Sequence, residues 1–536
     1  MKTNNRPKRR LSSIDAAFIY AENEKTPMHI GGIDIIEGEM PPEKFREHLD
    51  AKMQYIPRYR QRLIPSPFGF GHPTWEDDPE FDISNHVIAV RLPEPGTEEQ
   101  FRITVSELFE GVLDRTKPLW RAYIIEGRND RNTAILWLVH HAMVDGVSSV
   151  ELLEIALDSS PESILPEKDD FHAKPIPKRN LLLSDAVWDT IEEQINTQAE
   201  FLNKAVYMAR NLGSQQLDLL LHESRQLFRD IARPAARFPF NTRSLSGKRL
   251  LSWGSVPFEE LRGIRKKAGG TLNDVILAAL GGGMKKYLES HGIDTRKQRF
   301  RVACPVSLRT QEQRGSLGNE VTILPVEIPI GTADPLERLA QVVERTSALK
   351  KARAANAIDL FTTLFRSVHP LALSAIMGMA SSPRINSALG AFQRTSPVHM
   401  ICTNVPGPRG PMYAVGHKVL HHYPFLPVGP GLGLAMGVFT YNQRIYFGYI
   451  ADMNAAPDVE RFGQFVQEAF NELRDAANVP AYFNLSYKIN DLQAKFEAAA
   501  EDMQGFEIAH RTPREGGDAQ EHETTIEVQK IEKPTR

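Results

Sequence analysis

The sequence predicts an α/β (α+β) protein of two lobes, each a mixed sheet with flanking helices, joined by a long crossover. Three observations predict it. Strand-like and helix-like segments alternate over residues 11–160, and the same texture returns over 248–480. A proline-punctuated linker and polar amphipathic sequence separate the two stretches. At 536 residues the chain is too long for one ordinary core. The expected parts are a lobe at 11–160, a linker with crossover helices at 161–247, a second lobe at 248–480, and an extension at 481–536. From about 505 the extension mixes charges with few large apolar residues, the composition of a disordered tail.

In the first lobe, residues 28–38 (MHIGGIDIIEG) are rich in β-branched residues after Pro27 and read as a strand. Prolines open a helical period over 41–56. Residues 86–92 read as a strand and 98–113 as an amphipathic helix. Strands follow at 120–127 and 134–141, separated by the turn-rich GRNDRN, and a helix at 146–157. Pro161, Pro166, Pro175 and Pro177 mark the linker, and 185–232 carries apolar residues at three- and four-residue spacing. In the second lobe, helices are expected at 272–292, 334–352 and 457–477. Strands are expected at 300–309, 322–330, 398–407, 432–442 and 444–452.

Composition excludes several classes of function. Lys plus Arg number 64 and Asp plus Glu 67, a formal charge of −3, so no global field holds a nucleic acid. Two cysteines, Cys304 and Cys402, exclude a disulfide scaffold or a cysteine zinc site and suit a reducing compartment. No apolar stretch approaches the ~18 residues of a spanning helix. The basic start (Lys2, Arg6, Lys8, Arg9, Arg10) is followed by a segment carrying Asp15, Glu22 and Glu24, not by the apolar core of a secretion signal.

The sharpest chemical feature is AILWLVHHAMVDGVSS at 134–149, where an apolar strand runs into His140, His141 and a turn at Asp145 and Gly146. Successive strand residues face opposite sides, so one histidine alone can point into a given cleft. An imidazole with an ordinary pKa of ~6.5 can take a proton near neutral pH and return it. Gly146 permits a sharp turn and opens the next helix. Asp145 either orients a histidine or braces the turn, and the intervening residues favour bracing. A metal site is not expected, because adjacent histidines face apart and no second cluster has ligand spacing. Gly429, Gly431, Gly433 and Gly437 precede a strand, so dinucleotide binding fails on context. His421-His422 lacks the Asp-Gly turn and reads as structural or cavity-lining. Gly281-Gly282-Gly283 implies close packing on a sheet. The apolar stretch 359–380 reads equally as core helix or as an interfacial or lipid-tunnel element.

HHAMVDG resembles the HHxxxDG motif of the coenzyme A-dependent acyltransferase superfamily. More narrowly, the chain resembles the bacterial wax ester synthase/diacylglycerol acyltransferase family. LSSIDAAFIYAENEKTPMHIGG (11–32), LDRTKPLW (113–120), LNDVILA (272–278), CPVSLR (304–309), LGNEVTILPV (317–326) and TNVPGP (403–408) match family blocks in order. The basic first ten residues and the extension beyond about 480 depart from the pattern. The resemblance implies two chloramphenicol-acetyltransferase-like lobes with a tunnel between them. It implies an acyl-CoA-dependent O-acyltransferase acting on diacylglycerol or a long-chain alcohol, without a further cofactor. Acyl transfer to a small polar alcohol or amine, or lipid binding without catalysis, are the alternatives. By resemblance His141 is the general base, Asn273 and Thr403 are candidate oxyanion donors, Asp274 orders the tunnel wall, and Arg309 pairs with Asp145. From the residues alone, Asn273 reads equally as a helix cap and Asp274 as a favourable helix-start charge. Lipid-soluble substrates imply a cytoplasmic protein attached peripherally to the inner face of the plasma membrane or to lipid inclusions.

Overall fold

The computed structural model describes residues 9–69, 71–143, 146–162, 165–176, 237–307, 321–354, 370–382 and 398–482. Residues 1–481 make one compact unit and 482–536 a second.

The chain begins with helix α1 (Ser13–Ala21), capped by Ser12, whose hydroxyl accepts the Asp15 N–H. Strand β1 (His29–Ile36) and helix α2 (Pro42–Lys52) follow, the helix opened by proline at its first position. β2 (Gln61–Ile64) and β3 (Thr74–Asp77) form a small ribbon. Next come β4 (Val87–Arg91), α3 (Glu98–Leu108), β5 (Trp120–Glu126), β6 (Thr133–His140) and α4 (Gly146–Ala156). A capping box between Thr97 and Gln100 starts α3. All eight residues of β6 are buried, as the near-continuous apolar run requires of a strand covered on both faces.

The second half contains β7 (Arg249–Pro257), α5 (Phe258–Ala268), α6 (Leu272–Ser290), β8 (Phe300–Ser307), β9 (Val321–Ile328), α7 (Pro335–Ala354) and α8 (Pro370–Ser381). It ends with β10 (Met400–Pro406), β11 (Tyr413–Ala414), β12 (His417–Phe425), β13 (Leu434–Tyr441), β14 (Arg444–Asp452) and α9 (Val459–Ala476). The hairpin between β13 and β14 turns on Asn442 and Gln443, both at positive φ (41° and 64°). The expected crossover helices of 185–232 lie outside the described residues.

Two six-stranded mixed sheets result, in the orders β11-β12-β1-β6-β5-β4 and β7-β14-β13-β10-β8-β9. The first holds two strands from the second half of the chain. β12 lies antiparallel to β1, with Gly31 opposite Phe425 and Asp34 opposite His422. The sequence reading assigned no strand there. Three histidines and a proline obscure the alternation of HKVLHHYPF, and its partner is almost 400 residues away. A buried polar network fixes the register: Asp34 accepts from the Trp137 indole N–H at 2.7 Å and lies 2.7 Å from Nδ1 of His422. His422 is thus structural. A second buried tie joins the halves. Arg249 pairs with Asp452 at 2.7 Å and donates to the Lys25 carbonyl at 2.8 Å.

Of the glycines singled out above, Gly281, Gly282, Gly283, Gly433 and Gly437 are places of close approach, whereas Gly429 and Gly431 have open space beside them. A Cβ on Gly281 would lie 2.5 Å from Ile328 of β9, whereas on Gly283 it would lie 2.6 Å from the Val466 backbone of α9. The triple glycine therefore seats α6 against a helix as well as a sheet. Gly437 and Gly448 let Pro424 of β12 cross flush over β13 and β14; a Cβ on Gly448 would sit 1.7 Å from the Pro424 oxygen. Gly448→Ala should therefore destabilise the fold by about 1–3 kcal/mol. Gly410→Ala, with nothing within 4 Å of the added carbon, should be near neutral. Urea midpoints of the two variants check this, and equal midpoints would refute the packing account.

Candidate active site

β6 delivers the histidine pair to the end of the first sheet. His140 is its last residue, opposite His29 of β1, and His141 opens the turn. The alternation expected of the strand is visible in their surroundings. His140 is 0% exposed, whereas His141 is half-buried. The His141 N–H donates to the Met28 carbonyl at 2.9 Å. Its ring lies flat against Phe18 of α1, with centroids 4.0 Å apart and planes 6° from parallel, and its Nδ1 is buried.

His140 Nε2 lies 3.4 Å from Glu22 Oε1. The Glu22 side chain is 1% exposed and also accepts from the Met28 N–H (3.0 Å) and from Arg115 (2.9 Å). Burial alone would raise this carboxyl. His140, the Met28 N–H and Arg115 together outweigh burial and pull it down to about 2. His29, buried with its Nε2 2.9 Å from the Phe109 carbonyl oxygen, is pushed down to about 4 by burial and stays neutral at pH 7. Beyond Glu22 an open cleft of about 490 Å³ is lined by Asn23, Leu113, Arg115 and Arg121, among others.

The other sequence-derived residues fall into separate places. Gly146 opens α4, and Asp145 and Arg309 lie outside the described residues, as does their pairing. The cap of α6 is Thr271, not Asn273. Asp274 completes a capping box, accepting from the Thr271 N–H at 2.7 Å, and it also accepts from the Thr346 hydroxyl at 2.8 Å. Its carboxylate serves the helix start. Asn273, in the first turn, instead receives the amide of Asn404 at 3.4 Å, which brings the start of α6 to β10. Thr403, next to Asn404, is half-buried and registers with Gly437 of β13. Sequence reasoning missed Phe18 and Glu22. Both lie inside the N-terminal block that carried the resemblance, and a carboxylate ending a helix was the available signal. Among the described residues no cluster of His, Cys, Asp and Glu could hold a metal ion.

A family model described as the wax ester synthase/diacylglycerol acyltransferase catalytic domain matches residues 11–276, and the C-terminal domain of the same family matches 317–474. The chain belongs to the wax ester synthase/diacylglycerol acyltransferase family. It is an acyltransferase, and its family uses an acyl-CoA and an acyl acceptor. A probable diacylglycerol O-acyltransferase of Mycobacterium tuberculosis is 28% identical over 480 residues, covering 86% of this chain and 95% of the relative. Another from that organism is 25% identical over 477 residues, covering 87% and 98%. The wax ester synthase/diacylglycerol acyltransferase of Marinobacter aquaeolei VT8 superposes with a TM-score of 0.61 at 22% identity, covering 88% of this chain and 100% of that one. The first condensation domain of the calcium-dependent antibiotic synthetase gives 0.53 at 13% identity, covering 88% and 98%. These likenesses establish the two-lobed chloramphenicol-acetyltransferase-like fold expected from the sequence.

The depressed Glu22 carboxyl ties stability to pH. Its folded value lies below the ordinary 4.5, so its contribution is complete above pH 4.5 and is lost as pH falls towards about 2. Glu22→Gln should remove on the order of 3 kcal/mol of that acid dependence. Denaturation curves of both proteins across this range check it, and parallel acid limbs would refute it.

Proposed function

We propose that the chain transfers the acyl group of a long-chain acyl-CoA to a lipophilic alcohol, with His141 as general base. Diacylglycerol, giving triacylglycerol, is the first acceptor, and a long-chain alcohol, giving wax ester, the second. The observation that carries the reading is the division of labour in the histidine pair: His140 is sealed against Glu22, while His141 stays half-buried beside Phe18. The curated relatives named as diacylglycerol O-acyltransferases support the acceptor class.

The chemistry requires one mobile proton. The alcohol oxygen attacks the thioester carbon as His141 accepts the hydroxyl proton. With Nδ1 buried, Nε2 is the nitrogen assigned to this task. The tetrahedral oxyanion needs a hydrogen-bond donor. Asn273, at the start of α6, and Thr403, on β10, remain the proposed donors. Collapse breaks the carbon–sulfur bond, and the imidazolium returns its proton to the coenzyme A thiolate. We place the Asp145–Arg309 pair as a brace of the turn.

Purified protein offered radiolabelled acyl-CoA with diacylglycerol, a long-chain alcohol, a small polar alcohol and an amine should esterify the two lipophilic acceptors. His141→Ala should lose activity by about 100-fold or more. Undiminished turnover in that variant would remove the base assignment, and preference for the amine or the polar alcohol would remove the acceptor class.

Such substrates reside in lipid, so we place the protein at a cellular membrane or lipid-inclusion surface. No helix among the described residues is long and apolar enough to cross a membrane. α8 carries no charged residue, packs on α1 and exposes Met379. That supports a lipid-facing element beside the helix that bears Phe18. Met379→Glu should weaken co-sedimentation with phosphatidylglycerol vesicles containing diacylglycerol; unchanged binding would remove α8 from that role.

A further inference from the structure

The last turn of α1 grips both histidines. Phe18 and Glu22 stand four residues apart, so they share one helix face. Phe18 stacks on His141, and Glu22 meets His140. Glu22 is also the C-cap residue of α1, its N–H bonded to the Phe18 carbonyl. A carboxylate there faces the negative end of the helix dipole, which disfavours it. The placement therefore does nothing for the helix. Arg115 offsets part of the conflict, donating to both Glu22 and the Ile19 carbonyl.

The contacts close a ring around the backbone of His141. Glu22 Oε1 accepts the Met28 N–H at 3.0 Å. The carbonyl of the same Met28 accepts the His141 N–H at 2.9 Å. On the far side, His140 Nδ1 accepts the Ala142 N–H at 3.0 Å. A neutral imidazole has one accepting and one donating nitrogen. With Nδ1 accepting, the His140 proton sits on Nε2, which faces Glu22 Oε1 at 3.4 Å, an electrostatic contact rather than an aligned hydrogen bond. The Ala142 N–H thus sets the tautomer of His140, and the Glu22 carboxylate holds the ring by facing its Nε2–H. Through Met28 it holds the N–H of His141 itself.

We propose that Glu22 is a positioning residue for acyl transfer: it acts through His140 and Met28 to fix the backbone at His141, and hence where that ring meets the acceptor hydroxyl. The inference rests on the general-base reading of His141. A misplacement of about 1 Å costs on the order of 100-fold in rate.

The test is steady-state kinetics of purified, folded variants with acyl-CoA and diacylglycerol, together with downfield proton NMR of the His140 Nε2–H. Glu22→Ala should lower kcat about 100-fold with KM for acyl-CoA within about threefold. It should also abolish the His140 signal. Glu22→Gln, whose amide oxygen can still accept from Met28 and face His140 Nε2, should keep the signal and recover much of the rate. Asp34→Asn loosens the buried network of β12, away from the histidines. It should lower the melting temperature and leave kcat unchanged, which separates positioning from general destabilisation. Wild-type kcat in folded Glu22→Ala would overturn the inference, as would a loss of kcat in Asp34→Asn matching that in Glu22→Ala. His141→Ala tests the base reading by itself. If it is inactive while Glu22→Ala is not, positioning fails and the base stands. If it is fully active, the base reading fails, whatever the His140 signal shows.

Discussion

Two neighbouring histidines meet one face of α1 at the end of a β-strand, yet they differ in burial, and that difference organises the candidate site. His140 ends the strand and is sealed in, whereas His141 opens the turn and is half-buried. Burying the inward ring requires partners for its nitrogens, because an unpartnered polar group in a dry interior is costly. His140 Nδ1 finds one in the Ala142 N–H, and the Glu22 carboxylate faces its Nε2 at 3.4 Å. Its neighbour is left at the edge of the fold with Phe18 against its face. The pair thus divides into a fully buried ring and a half-buried one.

The same sheet explains why the two halves of the chain act as one body. β1 is paired on one side with β6, which ends in the histidines, and on the other with β12 from the second half. The Asp34–His422–Trp137 network spans all three strands. Pro424 then passes over glycines of β13 and β14, with no room for a side chain between them. A shift of β12 by one residue would turn His422 to the wrong face and leave Asp34 without its partner. Register in this strand trio therefore holds the two halves of the chain together.

Much of this was legible in the sequence because it depends on local pattern. The apolar run before His140 demanded a covered strand, and β14 occupies 444–452 as its composition indicated. The failures have physical causes. The α6 cap fell to Thr271 because a hydroxyl followed three residues later by Asp274 makes a reciprocal box, which Asn273 in the first turn cannot. β12 was invisible because its identity as a strand comes from a partner far away in the chain. Phe18 and Glu22 stood in a block that marked the family. Their roles emerged only when α1 was seen lying against the end of β6, since the spacing of four residues says which face they share but not what that face meets.

The central claim is that His141 takes the proton of the acceptor alcohol. A crystal structure with a non-hydrolysable acyl-CoA thioether and a long-chain alcohol tests it most directly. The account predicts the alcohol oxygen within about 2.6–3.2 Å of His141 Nε2, with His140 still against Glu22. An alcohol oxygen seated at another side chain, with the His141 ring turned away from it, would contradict the account.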